Sequence, residues 1–137
     1  MTKILYLSLI LSFVAINTAQ SELIHVTSRD DGFSKHYYDK YSLKYRDRND
    51  NIRFIYVIKA SKSMSKYDGL SQWDSYLEVN CRDMVAALLE VKRLSFSNNV
   101  ETLRVPEPEL DWTPIGPEMP LYAVTKAACT AAHKRKK

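Results

Sequence analysis

The sequence predicts an α+β fold: antiparallel strands form a sheet, and one helix near the C-terminus packs on it and is tied there by a disulfide. Three observations carry this. Ile52–Lys59 and Tyr76–Cys81 alternate apolar and polar residues as strands do, and turn-forming residues flank them. Apolar residues at helical spacing follow Pro120. The chain has two cysteines, Cys81 at the end of a strand-like run and Cys129 in the helical one.

At the N-terminus, Lys3 precedes an apolar run from Ile4 to Ile16, and small or polar residues follow around Ala19 and Ser21. This is the pattern of a secretory signal peptide over residues 1–21. The run is shorter than the roughly twenty residues a membrane-spanning helix needs. No cysteine follows it closely, so export without a lipid anchor is expected, to the periplasm, the cell surface or the medium. Taking residues 1–21 from the 137 leaves 116, enough for one domain. That domain is expected over residues 22–133, with 134–137 as a basic tail.

Phe33–Tyr45 contains Tyr37, Tyr38, Tyr41 and Tyr45, a composition suited to one or two strands. Asn49-Asp50-Asn51 is a turn, and Ile52–Lys59 follows as a strand with apolar residues on both faces: Ile52, Phe54, Tyr56 and Ile58 on one, Ile55 and Val57 on the other. A strand apolar on both faces belongs at the centre of a sheet, paired with the Tyr-rich segment as a hairpin. Ser61–Ser71 lacks periodicity and reads as an exposed loop. In Tyr76–Cys81 the inward residues are Leu77, Val79 and Cys81, and the outward ones Tyr76, Glu78 and Asn80.

Met84–Phe96 supports two readings. Val85, Leu88, Leu89 and Lys92 have helical spacing, and local pattern alone favours a helix over Met84–Leu89. The Ser97–Val100 turn and the strand-like Thr102–Val105 favour a hairpin instead. Pro106 and Pro108 then take the chain off the sheet, Trp112 supplies an apolar anchor for that linker, and Pro120 suits a helix's first turn. Leu121, Val124, Thr125, Ala128 and Ala132 share one helical face.

An exported chain meets oxidising conditions, so Cys81 and Cys129 are expected to pair. The net charge of +4 resides in the tail: without Lys3 and Lys134–Lys137, the 20 basic residues become 15, against 16 acidic. A body this close to neutral argues against a nucleic-acid face. The tail could grip a polyanion by charge, or be a disordered solubilising end.

No catalytic constellation is legible. His25, His36 and His133 lack zinc-ligand spacing and read as surface residues. Asp47–Asn51 resembles the start of a calcium loop but has Ile52 where glycine is required, and reads as a turn. There is no Gly-x-Ser-x-Gly step, and Glu107 and Glu109 lie in a proline linker. The expectation is a non-enzyme without cofactor or metal.

Taken together, YYDKYSLKYRDRNDNIRFIYVI, YLEVNCRD, a hairpin, and WTPIGPEMPLYAVTKAAC resemble the surface-adhesin protein E family of bacterial envelope proteins. The landmarks are Asp39, Ser42 and Leu43; Cys81; Trp112, Pro114 and Ile115; and Cys129. The resemblance implies a partly curled antiparallel sheet of about six strands, with Met84–Phe96 as strand. It also implies a binding role toward host matrix or serum proteins and a homodimer. Two other roles stay open at this point: a periplasmic structural or assembly factor acting on an envelope protein, and an inhibitor of a hydrolase such as lysozyme. The candidate binding residues are Tyr67 and Trp73, in or beside the loop, and Lys134, Arg135, Lys136 and Lys137; Trp73 is expected to be exposed.

Overall fold

A computed structural model describes residues 21–46, 50–61, 69–106 and 110–136. The signal-like residues 1–20, Tyr67, Lys137, residues 107–109 and residues 47–49 of the calcium-like stretch lie outside them. The strands are β1 (Leu23–Arg29), β2 (Ser34–Asp39), β3 (Lys44–Tyr45), β4 (Asn51–Ala60), β5 (Leu70–Asn80), β6 (Val85–Ser95), β7 (Val100–Arg104) and β8 (Thr113–Pro114), and helix α1 (Pro120–Lys136) follows. They form one open antiparallel sheet in the order β1-β2-β4-β5-β6-β7. The short β3 pairs with β4, and the short β8 with β6.

β4 is central, as its two apolar faces require. Ile52, Phe54 and Tyr56 are buried under α1, while Val57 is buried on the opposite face. β1, an edge strand absent from the sequence reading, pairs with β2 through an irregularity between His25 and Thr27. β5 begins at Leu70, so the expected loop ends earlier than Ser71.

Met84–Leu89 is not helical, because Val85–Ser95 forms β6, paired with β5 from Asn80↔Val85 to Leu70↔Ser95. The misleading local pattern has a physical origin. Tyr76 faces Glu90 and Leu77 faces Leu88, so Leu89 is an extra residue in a bulge. One extra residue breaks the two-residue period and leaves Val85, Leu88 and Leu89 at helix-like spacing. At the β5–β6 turn Asn80, expected to point outward, is buried; its Oδ1 accepts from the Arg82 and Asp83 amides at 3.1 and 2.7 Å.

Two of the family-like landmarks are backbone devices. Asp39 Oδ1 accepts from the amides of Tyr41 (3.0 Å) and Glu22 (3.1 Å). Ser42 Oγ donates to Asp39 O (2.7 Å) and accepts from Ile55 N (2.8 Å), which lets the chain leave β4 after β2 and rejoin it as β3. Leu43 is buried immediately beyond. At the second landmark Trp112, expected to be the anchor, is 41 % exposed. Ile115 does that work instead: it is 5 % exposed, its amide donates to Met84 O at 2.9 Å, and the preceding Thr113–Pro114 pairs with β6.

α1 covers β1, β2 and β4 with Val124, Thr125, Ala128 and Ala132, all buried. Cys129 is disulfide-bonded to Cys81 with the Cα atoms 5.9 Å apart. Thr125 Oγ1 is buried and has no hydrogen-bond partner among the described residues. An unsatisfied buried hydroxyl is unfavourable, and valine has nearly the same shape. Thr125→Val is therefore expected to raise stability by about 1 kcal/mol, read as a higher thermal midpoint; a loss of similar size would show that the hydroxyl is satisfied.

The helix does not stop at the basic residues. It runs through Lys136, so Lys134 and Arg135 are exposed side chains of its last turns, and Arg135 Nη2 donates to Lys40 O at 2.9 Å. Near that end His133 Nε2 lies 3.6 Å from Asp50 Oδ1, which also accepts from the Tyr45 hydroxyl at 3.0 Å. The Tyr45 hydrogen bond, helped by His133 and by the charge of Arg82, holds the Asp50 carboxyl below its usual range against a smaller opposing effect of burial. The folded state thus favours ionised Asp50. That stability is complete above the ordinary carboxylate pKa near about 4 and is lost as pH falls through the lower folded value. The gap in urea midpoint between wild type and Asp50→Asn should be present at about pH 5 and close on further acidification; a gap unchanged into strong acid would rule this out.

Candidate functional site

Alternation on β4 directs Ile55 away from α1, onto the sheet face that the helix leaves open. Register then builds two rows across that face: Ile55, Tyr76 and Glu90 in one, and Val57, Asp74 and Lys92 in the next. The Asp39–Ser42 turn adds Tyr41 at the rim, and β3 adds Lys44. These residues enclose a groove of about 460 Å³, lined by Asp39, Tyr41, Ser42, Lys44, Ile55, Asp74, Tyr76, Glu90 and Lys92.

The charges in this groove are unequally committed. Asp39 is spent on backbone amides, and Glu90 accepts from Arg104 Nε at 2.8 Å. Asp74 accepts from Gln72 Nε2 at 2.8 Å. The Lys44 and Lys92 ammonium groups and the Tyr41 and Tyr76 hydroxyls make no hydrogen bond or ion pair among the described residues. Tyr41 is 52 % exposed. The groove therefore presents two cations and two phenols around Ile55, beside the carboxylates of Asp74 and Glu90, a combination suited to holding a polar partner group. No histidine or cysteine lines it, and Ser42 Oγ is committed at both its donor and acceptor sides.

A second polar cluster lies under the other face. His36, expected at the surface, is 3 % exposed between Ser34 Oγ (3.2 Å from Nε2) and the Tyr56 hydroxyl (2.6 Å from Nδ1). Ser34 Oγ donates to Asp30 Oδ2 at 3.3 Å. Arg29, Asp30, His36, Tyr56, Ile58, Glu118 and Pro120 line the cavity of about 530 Å³ beside it. Neither His25 nor His133 joins this cluster: His25 is exposed on β1, in register with Tyr37, and His133 lies over Asp50.

Of the sequence-nominated binding residues, the structure describes the side chains of Trp73, Lys134 and Arg135. Trp73 belongs to β5, half-buried, opposite Ile58 on one side and Arg93 on the other, rather than exposed beside a loop. Lys134 and Arg135 are at the far end of α1. Nothing in the sequence marks Lys44, Tyr76 and Lys92 as a site, and Tyr76 and Lys92 show only as polar-face positions of central strands.

No family model matches the chain, and no curated protein matches it. Its fold is that of two solved structures of Haemophilus influenzae protein E. One, at 15 % identity and a TM-score of 0.57, is matched over 85 % of this chain and 90 % of that one. The other, a second crystal form, has 14 % identity and a TM-score of 0.56, with 85 % and 93 % covered. The chain thus has a protein E-like fold, as the resemblance implied, with the antiparallel sheet, terminal helix and disulfide in place.

Proposed function

We propose that the protein is an exported, non-enzymatic binding module that recognises a protein partner, an adhesin-like role toward host matrix or serum proteins. The observation that carries this reading is the groove on the helix-free sheet face, where Lys44, Lys92, Tyr41 and Tyr76 offer uncommitted polar groups. Support comes also from the protein E-like fold and from the signal-like N-terminus. No described helix is long and apolar enough to cross a membrane. The exposed basic end of α1 would add attraction to an acidic partner, with a strong dependence on salt.

The test is a binding screen of the oxidised protein against immobilised matrix and serum proteins, with cell fractionation alongside. The expected result is saturable binding, reduced at least about tenfold by Tyr76→Ala combined with Lys92→Glu, a change of about 1.4 kcal/mol. Lys92 faces Asp74 across the sheet, so the variant's unfolding midpoint is measured alongside to tell a loss of binding from a loss of fold. Binding unaffected by this variant would remove the groove from the reading. Exclusive periplasmic residence with no matrix binding would overturn the adhesin-like role in favour of an envelope partner.

A further inference from the structure

The buried cluster around His36 plays no part in the binding proposal, and the hydrogen bonds that link Asp30, Ser34, His36 and Tyr56 set a direction for its protons. Ser34 is fully buried and has one hydroxyl hydrogen. An ionised carboxylate only accepts, so that hydrogen goes to Asp30 Oδ2. Ser34 Oγ must then accept from His36, which places the ring hydrogen on Nε2. Nδ1 is left as an acceptor, and the Tyr56 hydroxyl donates to it at 2.6 Å. The chain runs in one direction, from Tyr56 to His36 to Ser34 to Asp30.

A second proton on this ring would have to enter at Nδ1. It would convert that nitrogen from acceptor to donor and force the Tyr56 hydrogen away. It would also create a cation at a position 3 % exposed, where loss of hydration disfavours charge. Among the described residues, the charged and titratable groups that line the cavity with His36 are Arg29 from β1, Asp30 from the turn after it, Tyr56 from β4, and Glu118 from the approach to α1. Arg29 opposes a cation and Glu118 favours one, but both are exposed to solvent, which screens them, and Asp30 favours one but acts through Ser34.

We propose that His36 is an acid sensor built into the fold: neutral and fully hydrogen-bonded at neutral pH, it loosens the corner between β1, β2, β4 and the start of α1 when protonated. The position suits such a device. His36 sits in register with Thr27 on β1 and Ile58 on β4, and Tyr56 belongs to the core beneath α1. Reversing one hydrogen bond there disturbs three strands at once.

The test is imidazole nitrogen NMR on the intact, oxidised protein, followed from about pH 8 to pH 4, with urea unfolding at the same pH values. The expected result is the Nε2–H form at neutral pH. Its titration midpoint should lie below that of the same residue in the urea-unfolded chain, and the folded-to-unfolded ratio should fall at least about tenfold between pH 7 and pH 5. In His36→Gln that fall should shrink; if this variant does not fold, the wild-type measurements decide alone. An Nδ1–H form, a ring already charged at neutral pH, or a midpoint at or above the unfolded value would overturn the proposal. None of these outcomes depends on whether the groove binds a partner.

Discussion

Removing the Cys81–Cys129 bridge is expected to destabilise the fold by about 4 kcal/mol. The bridge closes a separation of 48 residues, and the chain entropy it removes from the unfolded state grows with that length. It also joins the β5–β6 turn to a helix whose buried face is mostly small: Val124, Ala128 and Ala132 bury little apolar area. The helix of 17 residues would be marginal alone, so the bridge and the sheet hold it together. The measurement is the urea midpoint of Cys81→Ala combined with Cys129→Ala, with circular dichroism at 222 nm. A loss below about 1 kcal/mol would show that packing alone holds α1 and that the entropic argument does not apply here.

The second large effect concerns the segment that leads into the helix. Ile115→Ala is expected to cost about 3 kcal/mol, within the usual range for truncating a buried aliphatic side chain. Trp112→Ala should cost about 1 kcal/mol or less, because that ring is 41 % exposed. The ordering is the informative part. On residue size alone tryptophan is the anchor; in the structure the smaller side chain is buried against the core and has its amide bonded to Met84 O. Paired unfolding curves decide the matter, and a larger loss for Trp112→Ala would mean that the linker is held by its ring after all.

The parts legible in the sequence share one property, that their cause is local. Two-residue alternation marks Ile52–Lys59 as a strand wherever it is placed, and apolar residues on both its faces mark it as central. Pro120 opens the helix because its missing amide hydrogen is not needed there. The resemblance carried by Asp39, Ser42, Leu43, Cys81, Trp112, Pro114, Ile115 and Cys129 implied the sheet and its terminal helix.

What was misread had its cause across the sheet. Leu89 is an extra residue only with respect to β5, so nothing in Met84–Leu89 itself announces a bulge. Trp73 is half-buried rather than exposed because it pairs with Ile58 and Arg93, both distant in sequence. His36 reads as a polar residue in a Tyr-rich strand; only β4, arriving with Tyr56, turns it into the middle of a buried hydrogen-bond chain.

By itself, the sequence determined the α+β class, the central strand, the terminal helix and the pairing of its two cysteines. The first three follow from periodicity and backbone chemistry, and the cysteine pairing was expected from the signal-like N-terminus, all carried by short stretches or by composition. Tertiary structure alone decided which face the helix leaves open, that Ile115 rather than Trp112 fastens the linker, and that Lys44, Tyr76 and Lys92 share a groove. Those depend on register, because a one-residue slip in strand pairing would send every side chain of that strand to the opposite face.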